Sequence, residues 1–169
     1  MPTLSTADLY DRYGEQLRVC APVFQDFGGR SGFRGPATTV KCFEDNSRVK
    51  EALAEPGTVD GRPRVLVVDA GGSLRCAMLG DLIAESAVAH GWAGVIIQGC
   101  VRDSGRLREM DLGIKALAAI PRKSVRRGEG LRELTIEIGG VPVSPGDWVC
   151  CDCDGIVVAP PGLIEPEEA

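Results

Sequence analysis

Residues 65–103 read VLVVDAGGSLRCAMLGDLIAESAVAHGWAGVIIQGCVRD, and this stretch decides the fold. Val65 to Asp69 is an apolar run without alternation, the pattern of a strand covered on both faces. It leads into the turn residues Gly71, Gly72 and Ser73. A helix is predicted from about Gly80 to His90, with Leu79, Leu82, Ile83, Ser86, Ala87 and His90 on one face. A second buried strand covers 94–97 and leads through Gly99 to Arg102 and Asp103. Strand, helix and strand of these lengths make a βαβ crossover, right-handed almost without exception. Ligands of such units sit beyond the carboxyl ends of the strands. Twenty residues separate Asp81 from Arg102, one helix plus one strand, so the chain leaves this edge of the sheet and returns to it.

The composition suits an α/β protein with many tight turns: 169 residues, 44% hydrophobic, with 22 glycines. Aromatic residues are only 5%, so the core must be built from Val, Ile, Leu and Ala. The net charge of −5 gives no support to direct nucleic-acid binding, which needs a basic face. No apolar run approaches the ~20 residues of a membrane span, and the N-terminal MPTLSTADLYDRYG has no signal-type apolar core. The expectation is a cytoplasmic protein of one domain over 1–169, with a flexible or interface-forming acidic tail over 160–169. The seven cysteines are odd in number and scattered, as expected of reduced core residues rather than a disulfide framework. Cys150 and Cys153 have CxxC spacing, but no second pair accompanies them, and 148–151 reads better as a strand.

Upstream of the central unit, Ser5 and Asp8 form a capping pair for a first helix, with Leu4, Leu9, Tyr10 and Tyr13 as its buried stripe and Gly14 as its stop. Residues 28–36 read as a turn-rich loop, their glycines matching neither common phosphate-binding spacing. A strand is expected over 37–43, and a helix over 48–55 capped by Asn46 or Ser47. Downstream, 104–110 is expected to form one helical turn and 113–119 a strand. The loop 122–130, with Arg122, Lys123, Arg126 and Arg127, reads as solvated basic surface. The last third is β-rich: strands over 134–138, 141–143, 148–151 and 156–159, with a hairpin at Gly139-Gly140. The fold class is therefore α/β, a parallel βαβ core joined to an antiparallel β region.

The chemistry converges on one sheet edge. Gly80 is a plausible N-cap, so the amides of Asp81, Leu82 and Ile83 face a site suited to a carboxylate or phosphate. Asp81 in the first turn also stabilises the helix by roughly 0.3–1 kcal/mol, which by itself would account for it. Arg102 can grip a substrate oxygen and Asp103 a metal, although an Arg–Asp pair at a strand end is also a common structural ion pair. Two carboxylates, an arginine and a helix start at one edge favour the functional reading. Such a set suits Mg²⁺ or Mn²⁺, which need few protein ligands when water and substrate supply oxygens. His90 is the sole histidine and lies at the opposite end of the helix, so Ser/His/Asp or Cys/His catalysis is not expected.

The same stretch resembles the RraA-like proteins, which include the 4-hydroxy-4-methyl-2-oxoglutarate aldolases. The likeness extends through QDFGGRSGF, VKCFEDN at 40–46, DLGIKALAAIPRKS at 111–124 and the GDW…D-DG-I-V ending. Its diagnostic element is an Asp, twenty residues, then Arg-Asp, which Asp81, Arg102 and Asp103 match. The resemblance implies a swivelling β/β/α domain that assembles as a homotrimer, or a hexamer of paired trimers, with a divalent-metal site near a subunit interface. It implies that Gly80, Asp81, Leu82 and Ile83 bind the carboxylate of a small 2-oxo acid. Arg102 would bind substrate oxygen, Asp103 would ligate the metal, and Asp81 would complete the catalytic set.

The implied activity is class II aldol cleavage to pyruvate, with oxaloacetate decarboxylation as a side activity through a shared pyruvate enolate. Some RraA-like proteins are instead named as regulators that bind ribonuclease E, the alternative from another functional class. An inhibitor needs no Arg-Asp motif, and its presence here favours the enzyme. Methyltransferase names also occur in the family, but no GxGxxG loop follows a strand in this chain.

Overall fold

The computed structural model describes residues 3–164. In chain order the elements are α1 (Thr6–Tyr13), β1 (Arg18–Val19), β2 (Gln25–Asp26), β3 (Phe33–Lys41), α2 (Ser47–Leu53), β4 (Thr58–Val59), β5 (Arg62–Pro63), β6 (Val65–Asp69), β7 (Ala77–Leu79), α3 (Asp81–Ala89) and β8 (Gly94–Val101). They continue as α4 (Ser104–Leu107), β9 (Gly113–Ala119), β10 (Leu131–Arg132), β11 (Ile136–Ile138), β12 (Val141–Val143), β13 (Trp148–Asp152) and β14 (Gly155–Ala159). The main sheet runs β1-β14-β13-β3-β6-β8-β9-β2, with β10 added beside β3 and β7 beside β8. Its centre, β3-β6-β8-β9, is parallel, and its flanks are antiparallel. This is the expected parallel core joined to an antiparallel region.

The unbroken apolar run of β6 is explained by its two neighbours. Leu66 and Val68 face α2 and α3, against Val49, Leu53, Ile83 and Ala87. Val65 and Val67 face the other way, against Ile136, Ile138, Val143 and Val149. With both faces covered, no position of the strand can be polar without a buried partner. Each fully buried Val or Leu contributes roughly 1.5–3 kcal/mol. A third cluster sets Leu9 of α1 against Cys150, Val157 and Ala159 on the back of β13 and β14.

The sheet curls. Lys115, on β9, is buried; its Nζ lies 2.9 Å from Asp26 Oδ1 and donates to the Asp152 carbonyl, at the end of β13, at 2.6 Å. Three strands separate β9 from β13 in the sheet order, so this contact exists only because the sheet folds over on itself. Phe33 fills the mouth of the curl. A Cβ on Gly94 or Gly113 would lie 2.2 or 2.0 Å from its ring, so both strands must start on glycine.

Several local expectations are corrected. The capping box of α1 forms as read, with Ser5 and Asp8 bonded reciprocally, and of the expected stripe Leu9 is buried with Leu4 and Tyr13 packed beside it, whereas Tyr10 is exposed. Strand β3 begins at Phe33, inside the segment read as loop, because Gly35 and Pro36 pair with β13. Asn46 stands at the N-cap of α2, as one of the two expected candidates, but its side chain makes no capping bond; the Asp45 carboxylate accepts from Ser47 N and Oγ instead. Strand β8 does not end at 97 but continues through Gly99 to Val101, with a register shift between Ile97 and Cys100. The three-residue β7 was not foreseen. In α3 the expected face is wrong at Leu82, which is 76% exposed, and the buried positions are Ile83, Ala84 and Ala87. Cys153 is exposed and the other six cysteines are buried. Of the tail expected over 160–169, Ile164 packs into the α1 cluster, and 165–169 lie outside the described residues.

Candidate active site

Strand β7 pairs in parallel with the far half of β8, and this pairing builds the site. It sets Leu79 beside Arg102, whose amide donates to the Leu79 carbonyl at 2.9 Å. The residues that follow each strand, Gly80-Asp81 and Arg102-Asp103, therefore meet at one sheet edge. Asp103 takes a left-handed backbone conformation, φ 58° and ψ 36°, which L residues adopt at a cost. That turn aims its carboxylate at the start of α3, where Oδ2 accepts from Asp81 N at 3.1 Å. A Cβ on Gly80 would lie 2.8 Å from this oxygen and 3.4 Å from Arg102 Cγ and Nε.

The first turn of α3 is not bare, contrary to the expectation of free amides. Asp81 N donates to Asp103 Oδ2, and Leu82 N donates to Asp81 Oδ1 at 2.8 Å. Carboxylate oxygens of the chain already occupy the positive end of the helix, where an incoming carboxylate is expected to bind. Arg106 of α4, which the sequence reading missed, lies with Nε 3.4 Å from Asp81 Oδ2 and Nη2 2.8 Å from Glu85 Oε1. It sits three residues past Asp103, one helical turn on, and that spacing was its only signal. His90 caps the far end of α3, its Nδ1 2.7 Å from the Ser86 carbonyl.

Gly80, Asp81, Leu82, Ile83 and Arg102 line one wall of a cavity of about 600 Å³. Asp103 does not line it. It borders an adjoining hollow of about 350 Å³ that shares Arg102. The opposite wall of the larger cavity carries Asn46, Lys123, Ser124, Val125 and Arg126. The loop 122–130 is thus not merely solvated surface. Ala77 N donates to the Arg122 carbonyl at 2.8 Å, and Asp45 Oδ2 accepts from Arg127 N and Glu129 N at 2.6 and 3.3 Å. Burial alone would raise the Asp45 carboxyl, but these bonds and those from Ser47 outweigh it and hold it down to about 2. Asn46 extends the anchoring, donating to the Met78 carbonyl and accepting from Arg126 Nε at 3.1 Å.

Among the described residues no three of His, Cys, Asp and Glu gather as a metal cage. The donor set at the edge is two partly exposed carboxylates, Asp81 and Asp103, linked through one amide. Hard oxygen donors in that number fit Mg²⁺ or Mn²⁺ with water and substrate completing the shell. They do not fit a metal that demands sulfur or imidazole.

A parallel centre with helices on one side and an antiparallel sheet curled over the other places the chain among the swivelling β/β/α proteins. Residues 6–158 match the RraA-like family, described as Aldolase/RraA, and the chain belongs to that family. A protein of Alkalilimnicola ehrlichii, provisionally named 4-hydroxy-4-methyl-2-oxoglutarate aldolase, is 53% identical over 96% of this chain and 99% of its own. One from Pseudomonas syringae pv. tomato with the same provisional name is 49% identical over 96% and 98%. Among solved structures, a Geobacillus kaustophilus protein described as an S-adenosylmethionine:2-dimethylmenaquinone methyltransferase superposes with a TM-score of 0.88 at 46% identity, covering 95% of this chain and 97% of that one. A Thermus protein described as the RNA-processing inhibitor RraA superposes with a TM-score of 0.89 at 42% identity, covering 96% and 98%.

Proposed function

We propose that the protein is a divalent-metal-dependent carbon–carbon lyase that cleaves 4-hydroxy-4-methyl-2-oxoglutarate to pyruvate and decarboxylates oxaloacetate as a side activity. The observation that carries this reading is the meeting of Gly80-Asp81 with Arg102-Asp103 at the start of α3. The names of the relatives support it. In this reading a 2-oxo acid carboxylate binds against the amides of the first turn, displacing the chain's own carboxylate oxygens from that position. Arg102, shared by the cavity and the hollow beside it, holds a substrate oxygen between the two. Asp103, with Asp81, would hold Mg²⁺ or Mn²⁺, which when bound supplies Lewis acidity at the 2-keto oxygen. As the C4 hydroxyl gives its proton to solvent and C4 becomes a ketone, the C3–C4 bond breaks and leaves its electron pair on the pyruvate-forming half as an enolate. The Arg102 guanidinium stabilises that charge by hydrogen bonding, and C3 then takes a proton from solvent to give pyruvate. Loss of CO₂ from oxaloacetate leaves the same enolate, so one site serves both reactions.

The reading includes one domain over 1–169, assembly as a homotrimer or hexamer, and a place in the cytoplasm. Its test is pyruvate release in a coupled assay, with Mg²⁺ or Mn²⁺ and with EDTA, run beside Asp103→Ala. Metal-dependent release that the variant loses is the expected result. No release above the metal-only blank, from a folded oligomer, removes the aldolase. The bet then moves to the second reading, a ribonuclease E regulator acting by protein–protein binding, which the likeness to the Thermus protein supports.

A further inference from the structure

Arg106 has no role in the reaction as derived so far, yet it stands against one of the two carboxylates assigned to the metal. Asp81 and Glu85 are four residues apart on α3, so they share a face of the helix one turn apart. Arg106 reaches across from α4 to both, with Nε 3.4 Å from Asp81 Oδ2 and Nη2 donating to Glu85 Oε1 at 2.8 Å. It lines neither the cavity nor the hollow beside it, so it meets Asp81 from outside the substrate space. The two holds are unequal: the contact with Glu85 is a hydrogen bond, and the one with Asp81 is a longer ion pair. Both oxygens of Asp81 are engaged, Oδ1 by the Leu82 amide and Oδ2 by Arg106. Among the described residues the partners of Asp103 fall on Oδ2, which leaves its Oδ1 open to a cation. Asp81, Glu85 and Asp103 carry three negative charges, and Arg102 and Arg106 two positive ones. The edge therefore offers a divalent cation one net negative charge with Arg106 in place and two without it.

A divalent cation and Arg106 thus compete for the same carboxylate oxygen. We propose that Arg106 is a tethered counter-ion of the metal-free site: it neutralises Asp81 until a divalent cation arrives, then gives up Asp81 and rests on Glu85 alone. The proposal rests on the reading that Asp81 and Asp103 hold Mg²⁺ or Mn²⁺. It goes beyond that reading in giving Arg106 and Glu85 a task outside the reaction itself, the setting of metal affinity. Arg106 weakens metal binding, and in return it keeps Asp81 compensated beside Asp103 in the metal-free protein. Glu85 makes the hand-over possible, because the guanidinium that leaves Asp81 keeps a carboxylate partner instead of going bare into solvent. Arg106 acts through Asp81 and touches neither metal nor substrate, so it is a positioning residue.

The test is calorimetry of Mn²⁺ and of Mg²⁺ against the metal-stripped protein, a readout independent of turnover. Arg106→Gln is expected to bind either metal roughly three- to fivefold more tightly than wild type, the range an exposed ion pair supports. Arg106→Lys keeps the charge and should stay close to wild type. Glu85→Gln should weaken binding about threefold, and clearly less in the Arg106→Gln background, where no guanidinium needs Glu85 as its resting place. The difference between wild type and Arg106→Gln should shrink at high salt, because these charges are partly exposed. Thermal melts add a sign that a purely structural role would not give: Arg106→Gln melts below wild type in EDTA and level with it or above in saturating Mn²⁺. Weaker or unchanged metal binding in Arg106→Gln overturns the proposal, and so does an equal effect of Glu85→Gln with and without the arginine. Metal binding by wild type with the same affinity in every variant removes the counter-ion and leaves the metal site standing. No binding of either metal by wild type or variants removes the metal site itself, and the proposal with it.

Discussion

A methyl group on Gly80 would stand 2.8 Å from Asp103 Oδ2 and 3.4 Å from Arg102, so Gly80→Ala pushes the two catalytic candidates away from the α3 start. The backbone at Gly80 is extended, so the penalty is steric and not conformational. Stability should fall only by about 1 kcal/mol, the usual loss for alanine at an N-cap. Displacing a catalytic group by about 1 Å costs on the order of 10²-fold in rate. Gly80→Ala is therefore expected to keep a Tm within several degrees of wild type and to lose most pyruvate release. A large Tm drop with proportionate activity loss would instead make Gly80 a packing residue. At this scale the sequence was informative for Gly80, Asp81, Arg102 and Asp103, because they flank elements whose lengths bring them together. It was uninformative for Asn46, since its partners Met78 and Arg126 come together only in three dimensions.

The loop 122–130 looked like solvated surface because its arginines and lysine lie close together in sequence and its anchor lies some eighty residues away. That anchor is Asp45, whose Oδ1 caps α2 and whose Oδ2 holds the Arg127 and Glu129 amides. One carboxylate thus joins the helix start to the second wall of the cavity. Strand β7 escaped notice for a similar reason: Ala77-Met78-Leu79 has no strand pattern of its own and is a strand only through β8 and the Arg122 carbonyl. Strands β6, β8 and β9 were legible since burial on both faces leaves a mark in composition. Asp45→Asn places amide hydrogens against two donors and is expected to cost about 2 kcal/mol. It should also free the loop, so trypsin cleaves after Arg126 and Arg127 faster than in wild type. Equal cleavage rates would mean that the loop is held elsewhere. The folded Asp45 carboxyl lies below its ordinary value of 3.8, at about 2. Its contribution is therefore complete above about pH 4 and is lost as pH falls through 2. Trypsin protection measured at pH 6 and at pH 8 should be the same once intrinsic protease activity is corrected for.

The whole molecule depends on closing a curled sheet that has unlike edges, and Lys115 makes that closure. The sequence showed a lysine within the apolar strand 113–119 but not its partners, which come from β2 and from the end of β13. Both lie far from it along the chain, and the curl that brings them together is set by many small strand twists. Cys20 and Cys151, buried in the cluster inside the curl, report the same closure. Burial pushes the Cys20 thiol up to about 12 and Cys151 well above its ordinary range, which leaves Cys153 as the exposed thiol. In the folded protein one thiol per chain should react quickly with a disulfide reagent, and all seven should react in denaturant. Lys115→Ala removes the tie and leaves the Asp152 carbonyl and Asp26 without their donor. Loss of one partner of a fully buried ion pair costs about 3–5 kcal/mol, and Asp26 is partly exposed, so ~2–3 kcal/mol is expected. A variant weakened in this way opens along the β9–β13 seam, and Cys151, on β13 beneath Lys115, should become reactive before global unfolding. Lys115→Met keeps the stem of the side chain and should recover part of the Tm, because the packing is retained and only the hydrogen bonds are lost. If both variants melt like wild type and keep a single fast thiol, then apolar packing alone holds the curl shut and the buried lysine has no part in it.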